Sequence, residues 1–317
     1  FSYDPFVDSI HGYPVEEHTV TTDDGYILGL QRIPHGKNNQ VKGSRPVAFL
    51  QHGLLDSAHT WVNNPSDQSL GFLLADSGFD VWLGNSRGNT YSRGHTSLNP
   101  DSLEYWSFSW DEMAEHDLPA CVNYILKVSN AKNLSYVGHS QGTMIAFAQF
   151  NQDKVLASKI TSFMALGPVA TVGEIESPIK YVAPFTSSLA MVLDLFGHGE
   201  FLPTSGFMKL LAKLVCEGIP EKIFCDNIIF LLAGYDEKNT NMTRLPVYVA
   251  HTPAGTSVQN MVHYSQSTLS KAFQKFDFGK DKNLKKYGQK TPPLYSLTNS
   301  EVPTALFWGD NDWLADP

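Results

Sequence analysis

Residues 134–143 read LSYVGHSQGT, and this segment is the most informative one about the fold. Its first four residues are typical of a buried strand, and an apolar helix pattern follows at residues 144–150; between them, Gly138 and Gly142 bracket Ser140. A strand that turns so sharply into a helix leaves no room for a side chain at the flanking positions, and glycine has no Cβ to clash. A bare G-x-S-x-G motif often arises by chance, but here the strand and the helix that it requires are present. We therefore predict that Ser140 is a nucleophile at the edge of a sheet.

Strand and helix signals alternate on both sides of this motif. Residues 18–30 indicate a hairpin that turns at an Asp-Asp-Gly sequence. The other predicted strands lie at 46–50, 79–84, 134–137, 160–166 and 304–308, and the predicted helices at 70–77 and 110–126. Strands that alternate with helices form a mainly parallel sheet with helices on both faces. The sequence thus predicts an α/β fold.

The alternation of strands and helices stops after about residue 172. Residues 173–297 show helical periodicity with few strand signals, and Phe207 to Val215 carry one apolar helix face. The strand pattern returns near residue 304. We predict a sheet core at 1–172, a mainly helical cap at 173–297 and a continuation of the core at 298–317.

The composition excludes several classes of protein. The 317 residues are 42% hydrophobic and 17% charged, as in a globular protein with a large core. A net charge of −9 and a pI near 5.6 argue against a nucleic-acid partner, whose phosphates require a basic surface. No apolar run is long enough to span a membrane. No histidine or cysteine spacing is typical of a metal site, and we expect neither a metal nor a cofactor.

A second loop is predicted to lie beside the serine. Active residues in such sheets come from loops at the carboxyl ends of strands, and the strand at 46–50 is followed by Gln51-His52-Gly53-Leu54-Leu55. This turn can aim the backbone N–H of Leu54 at the oxygen of a tetrahedral intermediate, with the N–H of Gln141 as the second donor. The alternative is that His52-Gly53 is only a tight turn.

The acid and the base of a catalytic triad are harder to place. Asp312 follows the strand at 304–308, where the acid of this arrangement lies; Asp310 is the fallback, and a solvated loop acid is the alternative for both. The base should follow the acid, but no histidine follows residue 263. His139 is expected to pack beneath the turn. His251 and His263 precede the acid, which is the wrong order for the base.

The cysteines and sequons suggest a secretory route. Cys216 and Cys225 lie nine residues apart, a spacing compatible with closing a small loop, and Cys121 is left over. Such a disulfide would persist in an oxidising compartment. The sequons at Asn133 and Asn241 are weaker support. The chain starts with Phe rather than Met, which indicates a processed product or a fragment.

Several long runs together resemble the acid lipase family, which includes gastric lipase and lysosomal acid lipase. The resemblance covers nearly the whole chain and is carried by the runs TDDGYIL at 22–28, FLQHGLL at 49–55, DVWLGNSRGNT at 80–90, YVGHSQGT at 136–143, PAGTSVQNM at 253–261 and NDWLAD at 311–316. It implies the α/β-hydrolase fold with an inserted helical cap. It also implies a lid at about residues 204–233 that covers the site in water and opens on lipid.

The resemblance also implies roles for individual residues. It makes Ser140 the nucleophile, Asp312 the acid, and the amides of Leu54 and Gln141 the oxyanion hole. It further implies a disulfide between Cys216 and Cys225 and glycosylation at Asn241, whereas Asn133 has no counterpart in the family.

The triad histidine of the family lies on a C-terminal segment, with a final strand and helix, that follows residue 317. We therefore expect a longer gene product, and little activity from residues 1–317 alone because Ser140 would have no base.

The leading hypothesis is a secreted or lysosomal hydrolase of carboxylic esters. It would cleave triacylglycerols or cholesteryl esters at a lipid–water interface through a serine acyl-enzyme, without a cofactor and as a monomer. A non-catalytic lipid-binding protein on a lipase scaffold is the alternative from another class. A peptidase or thioesterase on the same fold is a third hypothesis, since fold does not fix function.

Overall fold

The motif at 134–143 lies at the centre of the sheet. The structure is a computed structural model that describes residues 12–40, 43–175, 199–201, 241–310 and 312–314. Its strands are β1 (Glu16–Thr21), β2 (Tyr26–Ile33), β3 (Val47–Gln51), β4 (Asp80–Gly84), β5 (Gly94–His95), β6 (Leu134–His139), β7 (Ile160–Leu166), β8 (Glu200–Phe201), β9 (Thr256–Ser257) and β10 (Thr304–Phe307). The main sheet has the order β1-β2-β4-β3-β6-β7-β10, and β5 pairs with β2.

The sheet combines an antiparallel edge with a parallel body. The hairpin β1–β2 is antiparallel and pairs with β4 in the same sense, whereas β4, β3, β6, β7 and β10 run parallel. Every residue of β3 and β4 is buried, because helices cover both faces of the sheet at this point. The predicted hairpin and the predicted mainly parallel sheet are confirmed.

The helices surround this sheet. They are α1 (Leu70–Asp76), α2 (Trp110–Glu112), α3 (Leu118–Ser129), α4 (Gln141–Gln152), α5 (Lys154–Ala157), α6 (Leu245–His251), α7 (Val258–Ser270) and α8 (Lys280–Tyr287). A π-helical turn, Met113–Asp117, joins α2 to α3. The helix predicted at 110–126 is therefore present, but it contains this wider turn and extends to Ser129.

A buried arginine links the β1–β2 hairpin to the π-helical turn. The side chain of Arg87 is 1% exposed, and its Nη1 lies 2.6 Å from Oδ2 of Asp24 in the hairpin turn. Its Nη2 lies 2.7 Å from Oδ1 of Asp117 in the π-helical turn. The guanidinium also stacks on Tyr26, with its carbon 4.0 Å from the ring centroid. One side chain thus joins three segments that are distant in sequence.

Part of the predicted cap lies within the described residues. It contains the short antiparallel ladder β8–β9 and the helices α6, α7 and α8. Phe273 and Tyr295 belong to the same buried apolar cluster as the sheet residue Phe163, so this region packs directly on the core. The lid predicted at 204–233 lies outside the described residues, and the predicted boundaries at 172 and 297 stay a prediction. Across the described ranges, no helix is long and apolar enough to cross a membrane.

Candidate active site

Ser140 occupies the turn between β6 and α4. Its backbone has φ 49° and ψ −115°, a conformation that non-glycine residues rarely adopt and that is common at functional sites. A Cβ on Gly138 would lie 2.7 Å from the carbonyl carbon of Gly142, and a Cβ on Gly142 would lie 2.4 Å from the carbonyl oxygen of Gln51. Both distances are below any contact that a real Cβ makes. The steric reason given for the two glycines is therefore confirmed.

Hydrogen bonds made by the backbone groups of Ser140 and Gly142 stabilise this turn. The N–H of Ser140 donates to the carbonyl oxygen of Leu166 on β7 at 2.9 Å. Its own carbonyl oxygen accepts from the hydroxyl of Thr143 at 2.6 Å, and Tyr136 donates to the carbonyl oxygen of Gly142 at 2.8 Å. These contacts compensate for the unfavourable φ and fix the direction of the serine side chain.

The loop after β3 lies against the serine. β3 pairs with β6, so the carboxyl ends of these strands lie about 5 Å apart. A Cβ on Gly53 would stand 3.1 Å from Cβ of Ser140, which shows how closely the loop passes this serine. Leu55 has φ 60°, and its carbonyl oxygen accepts from the N–H of Ala254 at 2.6 Å. Among the described residues, neither the N–H of Leu54 nor that of Gln141 donates a hydrogen bond.

His52 stabilises this loop from within. It is 2% exposed; its Nδ1 lies 2.7 Å from the carbonyl oxygen of Gly53, and its Nε2 accepts from the N–H of Ser86 at 3.0 Å. Nδ1 must then carry the proton, and burial lowers the pKa of the imidazole, which keeps it neutral. This role could not be predicted from local sequence, because the partner Ser86 is 34 residues away.

The candidate acids lie after β10, two strands from the serine. By strand spacing the end of β10 is about 10 Å from the end of β6. Asp312 is half-buried; its N–H donates to the carbonyl oxygen of Gly309 at 3.1 Å, and its Oδ1 accepts from the N–H of Leu314 at 3.0 Å. Asp310 is exposed. Asp312 is therefore the more buried of the two acids, and its carboxylate accepts a hydrogen bond.

None of the histidines in the described ranges is hydrogen-bonded to Ser140. His263 is fully buried; its Nδ1 lies 3.1 Å from Oγ of Ser109 and its Nε2 lies 3.0 Å from the carbonyl oxygen of Gln274. Nδ1 of His251 lies 2.7 Å from the hydroxyl of Tyr91. Both rings are thus hydrogen-bonded to residues other than Ser140.

The expectation for His139 was wrong. Its side chain is exposed and does not pack beneath the turn. It is the last residue of β6, and its Nδ1 would lie 3.1 Å from a Cβ on Gly53. The space beneath the elbow is filled instead by backbone, since Gly138 and Gly142 are in close contact there.

Comparison with known proteins identifies the family of this chain. A family model described as the alpha/beta hydrolase fold matches residues 46–317, and one described as a partial alpha/beta-hydrolase lipase region matches residues 7–65. Lysosomal acid lipase/cholesteryl ester hydrolase of Homo sapiens is 52% identical over 310 residues, which cover 97% of this chain and 77% of the human protein. Gastric triacylglycerol lipase of Rattus norvegicus is 49% identical over 308 residues, covering 96% and 78%. The chain belongs to the acid lipase family.

A solved structure supports the fold of this acid lipase family member. A soluble variant of monoglyceride lipase from Saccharomyces cerevisiae, in complex with a substrate analogue, superposes with a TM-score of 0.53. The match covers 96% of this chain and 80% of the yeast protein at 17% identity. At this identity the likeness concerns the fold alone, and it confirms the α/β-hydrolase architecture.

The remaining predicted sites of this family member lie partly on the surface and partly outside the described residues. Cys121 is a buried free thiol, whereas Cys216 and Cys225 lie outside the described residues. Asn133 and Asn241 are both exposed, as a glycosylation site requires. Oδ1 of Asn241 accepts from the hydroxyl of its own sequon threonine at 2.7 Å.

One group of possible metal ligands lies in the described part of the chain. It consists of Asp23, Asp24 and His116, whose ligand atoms are within 4.8 Å of one another. Asp24 is already paired with Arg87, and Asp23 with His116. We assign no metal to this group, because both carboxylates already have partners within the protein.

Proposed function

We propose that this protein is a serine hydrolase of lipid esters that acts through Ser140. The conformation of the serine carries the proposal: a non-glycine residue at φ 49° is maintained between two glycines and against a loop that can supply a second N–H. This arrangement is typical of acyl transfer and has no use in lipid binding alone. The names of the relatives at about half identity supply the substrate class, triacylglycerols and cholesteryl esters.

The chemistry follows from this geometry. The hydroxyl oxygen of Ser140 attacks the ester carbonyl carbon and gives up its proton to a base, and the N–H groups of Leu54 and Gln141 stabilise the negative oxygen that forms. Collapse of the intermediate breaks the ester bond, and the base returns the proton to the leaving alcohol oxygen. Water then attacks the acyl-enzyme with the help of the same base, which releases the fatty acid and regenerates the hydroxyl of Ser140. Asp312 would orient the base and stabilise its cation. We take the base to be a histidine of the full-length protein outside the described residues.

The proposal also includes the oligomeric state and the cellular location of the protein. The protein would work as a monomer at a lipid–water interface, in a lysosome or outside the cell. The exposed sequons at Asn133 and Asn241 support the secretory route.

The test compares variants of the full-length protein on emulsified trioleoylglycerol and cholesteryl oleate. We expect hydrolysis by the wild type and none by S140A. D312N should lower kcat by about 10³–10⁴-fold, because the base loses its orienting carboxylate, whereas D310N should stay within about threefold of wild type, because the exposed side chain is not used. A wild type that binds both lipids without hydrolysing them would favour the lipid-binding alternative. A larger loss in D310N than in D312N would reassign the acid.

A further inference from the structure

Asn260 is a buried amide whose side chain makes three hydrogen bonds. It is 0% exposed and lies in the first turn of α7. Its Nδ2 donates to Oε1 of Gln141 at 2.9 Å and to Oγ1 of Thr256 at 3.1 Å. Its Oδ1 accepts from the N–H of Trp110 at 2.8 Å. The side chain thus connects the start of α2, the start of α4 and the ladder strand β9.

The partner of Asn260 on α4 is the residue directly after the nucleophile. The Gln141 side chain is 3% exposed, and its Oε1 also accepts from the hydroxyl of Tyr264 at 3.2 Å. Its Nε2 donates to the sulfur of Met113 at 3.3 Å. Two residues of α7 therefore hold the carbonyl end of this glutamine, and the π-helical turn holds the other end.

We propose that Asn260, assisted by Tyr264, is a positioning residue for the oxyanion donor at Gln141. This inference rests on the proposed function, because it concerns the N–H that would stabilise the intermediate. The N–H of Gln141 shares its Cα with the anchored side chain, so fixing that side chain at both ends fixes the direction of the N–H. The run 253–261, which sequence analysis singled out without a role, then supplies the anchor.

The size of the expected effect follows from how sensitive such donors are to position. Loss of a whole oxyanion donor costs about 10²–10³ in rate, and a misplacement of about 1 Å can cost about 10²-fold. When the N–H of Gln141 is still present but its side chain is no longer anchored, the loss in rate should be smaller, about tenfold. The loss should fall on kcat rather than on KM, because the donor acts on charge that develops only in the transition state.

The test uses the full-length protein and the isosteric variants N260L and Q141M. The measured quantities are the second-order rate constant for labelling Ser140 with a fluorophosphonate, and kcat and KM for a soluble p-nitrophenyl ester. We expect each variant to lose about tenfold in labelling rate and kcat, with KM within about twofold of wild type. The double variant should lose no more than either single one, because both changes break the same anchor.

Asn283 provides a matched control. It is also 0% exposed; its Nδ2 donates to Asp277 and to the carbonyl oxygen of Lys290, and its Oδ1 accepts from the N–H of Phe278. N283L should lower the melting temperature as much as N260L does, but leave the labelling rate unchanged. Y264F removes one hydroxyl only, and it should slow labelling about threefold even if N260L does not fold.

The outcomes separate this inference from the proposed function. If the probe does not label the wild type, both the proposed function and the positioning role of Asn260 are contradicted. A labelled wild type overturns the positioning role alone if N260L and Y264F react at the wild-type rate, if N283L slows labelling as much as N260L, or if the losses in N260L and Q141M multiply.

Discussion

At the scale of single residues, Ser140 and its two glycines determine whether the site can form. The serine holds φ 49°, and the space that side chains at positions 138 and 142 would occupy is taken by backbone atoms. Backbone cannot move aside as a flexible side chain can, so the turn tolerates no Cβ at either position. The local sequence pattern is therefore a direct consequence of close packing.

A single methyl group at Gly142 should distort the site. In G142A the new Cβ would stand 2.4 Å from the carbonyl oxygen of Gln51 and 3.0 Å from that of His52. We expect a loss of about 3 kcal/mol in the free energy of unfolding, measured by urea denaturation. In G309A the added Cβ meets nothing within 4 Å, and this control should stay within about 0.5 kcal/mol of wild type. An unchanged urea midpoint for G142A would show that the turn at Ser140 can accommodate a Cβ at position 142.

The candidate site residues that could be predicted from the sequence are those with a local signal. Ser140 and Gln141 follow from a five-residue motif whose requirements are steric. His52 and Asn260 were missed as supporting residues, because each acts on a partner 34 or 119 residues away. The burial of His139 was predicted wrongly: the residue ends β6 with an exposed side chain, and backbone atoms of Gly138 and Gly142 fill the space beneath the turn.

At the scale of elements, strands of four or more residues were predicted and shorter ones were not. The apolar runs of β3, β4, β6, β7 and β10 are long enough to show a pattern. The two-residue strands β5, β8 and β9 form only because tertiary contacts bring their partners together. The π-helical turn inside the helix from Trp110 to Ser129 likewise has no signature in hydrophobic periodicity.

The buried arginine should be the strongest link between elements. In R87M, the fully buried Asp117 and the partly buried Asp24 lose their counter-ion, and we expect a loss of about 3–5 kcal/mol in the free energy of unfolding. R93M is the control, because Arg93 is 37% exposed and pairs only with Glu200 among the described acids. It should cost about 1 kcal/mol or less. Equal losses in the two variants, measured by urea denaturation, would contradict the role given to Arg87.

At the scale of the whole molecule, buried titratable groups favour a weakly acidic medium. Burial, and then the nearby charge of Glu112, raise the pKa of Asp111 to about 7. Burial lowers the pKa of His263 to about 4, and it does the same for His59, where the charges of His251 and Arg244 add to the effect. The carboxyl group destabilises the fold when it is charged at high pH, and the imidazoles do so when they are charged at low pH.

The contribution of Asp111 to the pH dependence of stability can be measured separately. Its pKa is higher in the folded state than the ordinary value of 3.8, so the folded state binds the proton more tightly. Stability from this group is complete below about pH 4 and is lost as the pH rises through 7, by roughly 4 kcal/mol in all. D111N, which mimics the neutral acid, should match wild type at pH 4 and exceed it in unfolding free energy at pH 8.

The control for this pH profile is D281N, which removes an equal charge from an exposed position on α8. It should leave the pH dependence of urea denaturation as in the wild type. A D111N profile that runs parallel to wild type from pH 4 to pH 8 would show that Asp111 titrates as an ordinary carboxyl.

The most direct test of the whole account is to map the covalent adduct of a fluorophosphonate on the full-length protein by peptide mass spectrometry. The proposed mechanism predicts a single adduct on the hydroxyl of Ser140, at one equivalent per chain, and no adduct in S140A. An adduct on another residue, or an unlabelled protein that is correctly folded, would contradict the assignment of Ser140 as the nucleophile.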